Sequence, residues 1–226
     1  IGRAIAERLL ADGHRVSAGV RDPAGLSTLG EGAPDRLLIQ PYEASAGDAD
    51  ARAPRAWVQA TAERWGGIDA VVHCAGVFSR VGLRYGDGKE EEIARVLDVN
   101  LMGPWRLSRA AWPLLAASGD GRVLTLVSMS GKRVKGRLAA YGVSKFALLA
   151  LCQSMRNEGW EDGIRVTAIC PSWVNTDMAA AVTAIPREAM TQPHDLAASV
   201  SHLLCLPAAA VPFEFSVNCQ LETCTP

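Results

Sequence analysis

A serine, a tyrosine thirteen positions later and a lysine four positions after that are the residues whose types and spacing point to chemistry: Ser128, Tyr141 and Lys145. Residues four apart on a helix lie one turn apart on the same face, so the phenol of Tyr141 and the ammonium of Lys145 project side by side. An ammonium beside a phenol favours the phenolate. It is expected to draw the tyrosine from its reference pKa of about 10 towards neutrality, where it exchanges a proton with an alcohol or carbonyl oxygen. A hydroxyl from Ser128, arriving from a neighbouring strand, would hold that oxygen. A solvated Tyr–Lys pair and a turn-forming serine are the commoner uses of these residues. Position favours chemistry, because Ser128 closes the apolar run Val123-Leu124-Thr125-Leu126-Val127 and Tyr141 opens an apolar helical pattern.

The elements that must position these groups follow from periodicity. Strand-like runs at 15–20, 37–40, 68–73, 123–127 and 163–170 alternate with helical patterns at 1–12, 48–65, 89–100, 101–117, 139–151 and 193–206. Asp48 is placed to cap the second of these helices, and Gly66-Gly67 to end it. The alternation predicts an α/β fold, a doubly wound parallel sheet with helices on both faces, as one domain over residues 1–226. The stretches around Trp105 to Leu115 and Ala139 to Leu151 are apolar on more than one side. One stripe suffices to pack on a sheet, so the second face predicts burial against another subunit, in a homodimer or homotetramer.

Composition removes other classes. Hydrophobic residues make up 49% and the formal net charge is -1, so neither a basic nucleic-acid surface nor a disordered chain is indicated. Cys74, Cys152, Cys170, Cys205, Cys219 and Cys224 include no C-x-x-C and read as cytoplasmic thiols. His14, His73, His194 and His202 are scattered without ligand spacing, so no metal site is expected. No run has the length of a membrane span.

The set Ser128, Tyr141, Lys145 resembles the catalytic residues of the short-chain dehydrogenases/reductases, and the resemblance extends from Ile1 to about Pro207. It implies a nicotinamide cofactor and interconversion of a carbonyl and an alcohol of a small-molecule substrate. Asn100, in D-V-N-L-x-G-P, matches the family's fourth catalytic residue, where a kinked helix holds a proton-relay water with a backbone carbonyl and the amide. Ile1-Gly2 matches the end of a Gly-rich turn, T-G-x-x-x-G-I-G, that receives the pyrophosphate, and the chain is expected to be a copy lacking the first strand and that turn. Arg21 follows the strand whose end selects the dinucleotide, which favours NADP over NAD; Asp22 beside it keeps NAD as the weaker choice.

The remaining cofactor contacts that the resemblance implies are Glu43 at the adenine, Ala75 and Gly76 at the close approach, Pro171 and Thr176 at the nicotinamide carboxamide, and Tyr141 and Lys145 themselves, with Lys145 on the ribose. The chain departs from the pattern in several places. Glu43 stands for the usual Asp, H-C-A-G (His73 to Gly76) for N-N-A-G, and Ser172 for Gly. His73 reads as a core histidine. The tail reads as an edge strand. A second reading stays open, a non-catalytic cofactor-binding or scaffold protein of the same fold; the retained Asn100, Ser128, Tyr141 and Lys145 oppose it.

Overall fold

The computed structural model of the protein describes residues 1–220 apart from 27, 30, 31, 33, 46–51, 88 and 135. Its elements in chain order are α1 (Gly2–Ala11), β1 (Val16–Val20), β2 (Leu37–Pro41), α2 (Arg52–Trp65), β3 (Ala70–His73) and α3 (Glu90–Leu97). After a π-helical turn (Asp98–Met102) come α4 (Gly103–Ala117), β4 (Arg122–Leu126), α5 (Ala139–Gly159), β5 (Arg165–Pro171), α6 (Pro193–Leu204) and β6 (Glu214–Val217). Asp48, the expected cap of α2, lies outside the described residues.

Side chains alternate across a strand, and β4 uses this to serve two cores. Val123, with Val127 just beyond the strand end, packs against Val58, Leu107, Leu115 and Leu148 from α2, α4 and α5. Leu124 and Leu126 face the other way, onto Ile5 and Leu9 of α1 and Leu196 and Val200 of α6. β5 repeats the division: Val166, Ala168 and Cys170 join the first group and Ile169 the second. Helices therefore cover both faces of the sheet. Burying one such leucine contributes about 1.5–3 kcal/mol, so Leu124→Ala, at a site 1% exposed, is expected to cost about 2–5 kcal/mol.

All ladders are parallel. β3, β4, β5 and β6 pair in that order, while β1 and β2 form a separate pair. The single sheet expected from the sequence is thus divided, because no described strand pairs with both β1 and β3. Residues of both strands line one cavity of about 790 Å³, with Ile5, Ala6, Val58 and Leu107 among its other walls. The tail supplies β6, parallel on the outer edge of β5, as expected of an edge strand. α6 stops at Leu204, shortly before Pro207, two residues earlier than periodicity suggested. The second apolar face expected on α4 and α5 is confined largely to Trp105, Val143 and Phe146, which are 50%, 59% and 41% exposed.

Candidate active site

The carboxyl ends of β3, β4 and β5 converge with the start of α5. Ser128 follows β4 by two residues, and the loop it opens lies flat on α5. A Cβ on Gly131 would meet the carbonyl oxygen of Lys145 at 2.7 Å and Val127 Cγ1 at 2.8 Å, so only glycine permits this approach. The same packing sets the Ser128 hydroxyl near enough to the Tyr141 phenol to favour its ionised form. Ser128 Oγ also accepts from Ser130 N at 3.0 Å, fixing the serine at the head of a short 3-10 turn. Tyr141 is 8% exposed, and the ring of Phe78, from the loop after β3, meets it edge-on with centroids 5.1 Å apart.

Lys145 lies one turn along α5 and is 4% exposed. Its Nζ donates to the carbonyl oxygen of Leu126, the last residue of β4, at 3.0 Å and stands 5.9 Å from the centre of the Tyr141 ring. That position changes the expected electrostatics. Burial raises the phenol of Tyr141 above its ordinary value, with the neighbouring Ser128 hydroxyl opposing it, and the ammonium is not what moves it. The lysine is itself pushed down to about 8, by desolvation foremost. The expectation that Lys145 draws the phenol towards neutrality is corrected here: the ammonium turns to the Leu126 carbonyl, and desolvation dominates both groups.

Asn100 sits in the π-helical turn between α3 and α4, a wide turn of the kind often found at functional sites. Arg106 Nη1 donates across that turn to Asp98 Oδ1 at 2.7 Å. The Asn100 side chain is fully buried, and its partners differ from those expected. Oδ1 accepts from Val77 N at 2.8 Å, while Nδ2 donates to Val77 O and to Ser144 Oγ, each at 3.0 Å. Both amide protons are therefore committed to protein. The amide thereby latches the loop after β3 to α5.

Ser144 was not singled out from the sequence. It is wholly buried, donates to Tyr141 O at 2.7 Å and accepts from Asn100. Its position three residues after Tyr141, on the same helix face, is the signal that could have marked it.

The expected cofactor residues lie on several elements, Gly76 nearest this cluster. A Cβ on Gly76 would stand 3.6 Å from both Asn100 Oδ1 and Lys145 Nζ, so the absence of a side chain there leaves the ammonium approachable. Ala75, beside it, is exposed. Gly2 opens α1 against Cys74, whose Cβ would lie 3.2 Å from a Cβ at position 2. Pro171 ends β5, and Thr176 donates to Val174 O at 3.4 Å in the loop beyond it. Arg21 is exposed immediately after β1. Glu43 accepts from Ser45 N at 3.2 Å and Ser45 Oγ at 2.9 Å. Desolvation works against its ionisation, but these bonds and the charge of Arg21 outweigh it and hold the carboxyl below its usual range.

Two residues that depart from the family pattern, His73 and Cys74, are held in their neutral forms by burial. His73 Nε2 pairs with Ser108 Oγ at 2.8 Å, and burial pushes the imidazole down to about 4, so it is neutral near pH 7, as read from the sequence. Burial pushes the Cys74 thiol up to about 11. Among the described residues no cluster of His, Cys, Asp or Glu could hold a metal ion, and no helix is long and apolar enough to cross a membrane.

A family model described as enoyl-(acyl carrier protein) reductase matches residues 1–204. The chain belongs to the short-chain dehydrogenase/reductase family. It is 34% identical over 223 residues to an agropine synthesis reductase of Rhizobium rhizogenes, covering 99% of this chain and 51% of that protein; it thus spans about half of that relative's length. A 3-oxoacyl-[acyl-carrier-protein] reductase of Mycobacterium bovis is 30% identical over 212 residues, with 90% of this chain and 80% of that protein covered. Among solved structures, an alcohol dehydrogenase from Thermococcus sibiricus complexed with 5-hydroxy-NADP superposes with a TM-score of 0.85 at 25% identity, over 99% of this chain and 93% of the other. Its fold is the Rossmann-like α/β fold of that family, a parallel sheet with helices on both faces.

Proposed function

We propose that the protein is an NADP-dependent oxidoreductase interconverting a carbonyl and an alcohol of a small-molecule substrate, with Tyr141 as the acid–base group. The observation that carries this reading is the Tyr141 phenol, kept protonated by burial, with Ser128 beside it and a buried lysine one helical turn away. Tyr141 delivers a proton to the carbonyl oxygen during reduction and recovers it during oxidation. Ser128 hydrogen-bonds the same oxygen and orients it. Asn100 keeps Val77 and Ser144 in register, which fixes the loop that carries Phe78 over the phenol.

The site fits a nicotinamide dinucleotide. Among the described residues Lys145 Nζ has one hydrogen bond, to Leu126 O, and its remaining donors suit ribose hydroxyls on the side of Gly76. Arg21 would meet a 2′-phosphate, Gly2 the pyrophosphate at the start of α1, Glu43 the adenine, Ala75 and Gly76 the close backbone approach, and Pro171 and Thr176 the carboxamide. When bound, the cofactor supplies or accepts the hydride at the substrate carbon.

We further propose one domain over residues 1–226, in the cytoplasm, as a homodimer or homotetramer. The exposed Trp105, Val143 and Phe146 support that assembly by offering apolar contact area on α4 and α5. A non-catalytic cofactor-binding or scaffold role is the second reading, favoured by the exchange of two family asparagines for His73 and Cys74. The test incubates the protein with NADPH and a panel of ketones and aldehydes, following loss of NADPH against alcohol formed. Turnover in equal amounts supports the enzyme; tight NADPH binding with no turnover across the panel supports the scaffold.

A further inference from the structure

Thr176 lies on the loop that leaves β5 and returns to α6 through residues 177–192, and the two ends of this loop are fastened together. Val174 and Thr191 form a parallel bridge. Thr191 N donates to Trp173 O at 3.0 Å and Asn175 N to Thr191 O at 2.9 Å. Side chains add a second layer. Asn175 Nδ2 donates to Gln192 Oε1 at 2.9 Å, while Asn175 Oδ1 accepts from Arg187 Nη1 at 2.7 Å. The same Arg187 nitrogen reaches Thr176 O at 3.4 Å. Gln192 Nε2 donates back to Arg187 O at 3.0 Å and to Met190 O at 2.9 Å.

Gln192 connects this network to the core. It is the N-cap of α6, where its main-chain N–H donates to Asp195 Oδ2 at 2.8 Å. Leu196 and Val200 of that helix are fully buried. The chain of contacts thus runs from a rigid helix through Gln192 and Asn175 to Arg187, and ends on Thr176. Arg187 is exposed and has no carboxylate partner among the described residues. Its hydrogen bonds go to two neutral oxygens, one on the residue before Thr176 and one on Thr176 itself. A guanidinium is suited to this because its donors are held in a fixed plane and their bonds are charge-assisted.

We infer that Arg187 is a positioning residue, which holds Thr176 in place for the cofactor by clasping Asn175 Oδ1 and Thr176 O. The inference rests on the reading of Thr176 as a nicotinamide contact. It makes the segment 177–190 a strap with anchored ends instead of a freely opening lid. Lysine at the same place keeps the charge but not the planar fork, so it restores part of the clasp.

The test compares wild type, Arg187→Ala and Arg187→Lys in two measurements. One is amide hydrogen exchange at Asn175 and Thr191 in the cofactor-free protein; the other is the KM for NADPH and kcat at saturating cofactor. Arg187→Ala is expected to speed exchange at both amides and to raise the cofactor KM about three- to tenfold with kcat within about twofold, with Arg187→Lys intermediate. Unchanged exchange in Arg187→Ala overturns the clasp. Faster exchange with an unchanged KM overturns the positioning role alone, whereas wild-type protein that binds no dinucleotide defeats the reading of Thr176 and this inference with it.

Discussion

Asn100 Nδ2 donates to Ser144 Oγ at 3.0 Å, joining the π-helical turn before α4 to the middle of the Tyr141–Lys145 turn of α5. Ser144 in turn donates to Tyr141 O at 2.7 Å, so the two residues form a buried hydrogen-bond chain of fixed direction. Ser144→Ala leaves one Asn100 amide proton without a partner in a site closed to water, at a cost of about 1–3 kcal/mol. Asn100→Ala loses all three bonds and frees the Val77 loop, so it should lose more stability and more activity. Chemical denaturation of both variants checks the order; a Ser144→Ala protein as stable as wild type would show that the hydrogen-bond chain contributes nothing.

His73 gives a pH signature. Its folded-state value is depressed from 6.5 to about 4 by burial, so between those values the unfolded chain takes up a proton that the folded protein refuses. Stability is therefore lost as pH falls from 6.5 towards 4, by roughly 3 kcal/mol across the window. His73→Asn should flatten this decline. Thermal unfolding at pH 7, 5.5 and 4.5 for both proteins measures it, and parallel curves would assign the acid loss to other groups.

Lys145 works against the fold in the opposite window. Its value falls from 10.5 to about 8 on burial, so the folded protein holds less of a proton than the unfolded chain between these limits. Stability from this group therefore rises with pH from about 8 to 10.5. Lys145→Met removes the buried charge and keeps most of the chain length, and it is expected to raise stability at pH 7 by about 1–3 kcal/mol while abolishing turnover. The gain should shrink by pH 10. A less stable Lys145→Met protein at pH 7 would mean that the Leu126 hydrogen bond outweighs desolvation.

Arg21 is exposed at the end of β1, where its charge also acts on the Glu43 carboxyl. A 2′-phosphate would add a second, more highly charged partner. NADPH should be used in preference to NADH at equal concentration, and Arg21→Ala should narrow that preference by about fivefold, the value of one screened surface pair. Preference for NADH in the wild-type protein would remove Arg21 from the assignment.

The alternation of strand and helix patterns carried the fold well, because buried parallel strands such as Val123 to Val127 are short apolar runs bounded by turns. What it could not carry was the division of the sheet, since strand pairing depends on which edges meet and not on the pattern within a strand. The site shows the same limit. Spacing placed Tyr141 and Lys145 on one face of α5, yet which way the ammonium turned depended on the Leu126 carbonyl, nineteen residues earlier. Asn100 was found by its local motif, but its partners Val77 and Ser144 lie 23 and 44 positions away, where periodicity has no reach. Arg187 had no motif at all; only the folded loop brings it to Asn175.

The most direct test of the account is steady-state kinetics of Tyr141→Phe beside a cofactor-binding titration. The substitution removes one oxygen and leaves the ring against Phe78, so packing and NADPH affinity should stay nearly unchanged. The proton donor is lost, and the rate should fall by about 10²–10⁴-fold, the usual contribution of a positioned acid–base group. A Tyr141→Phe protein that binds NADPH normally and retains more than about a tenth of the wild-type rate would contradict the assignment of Tyr141.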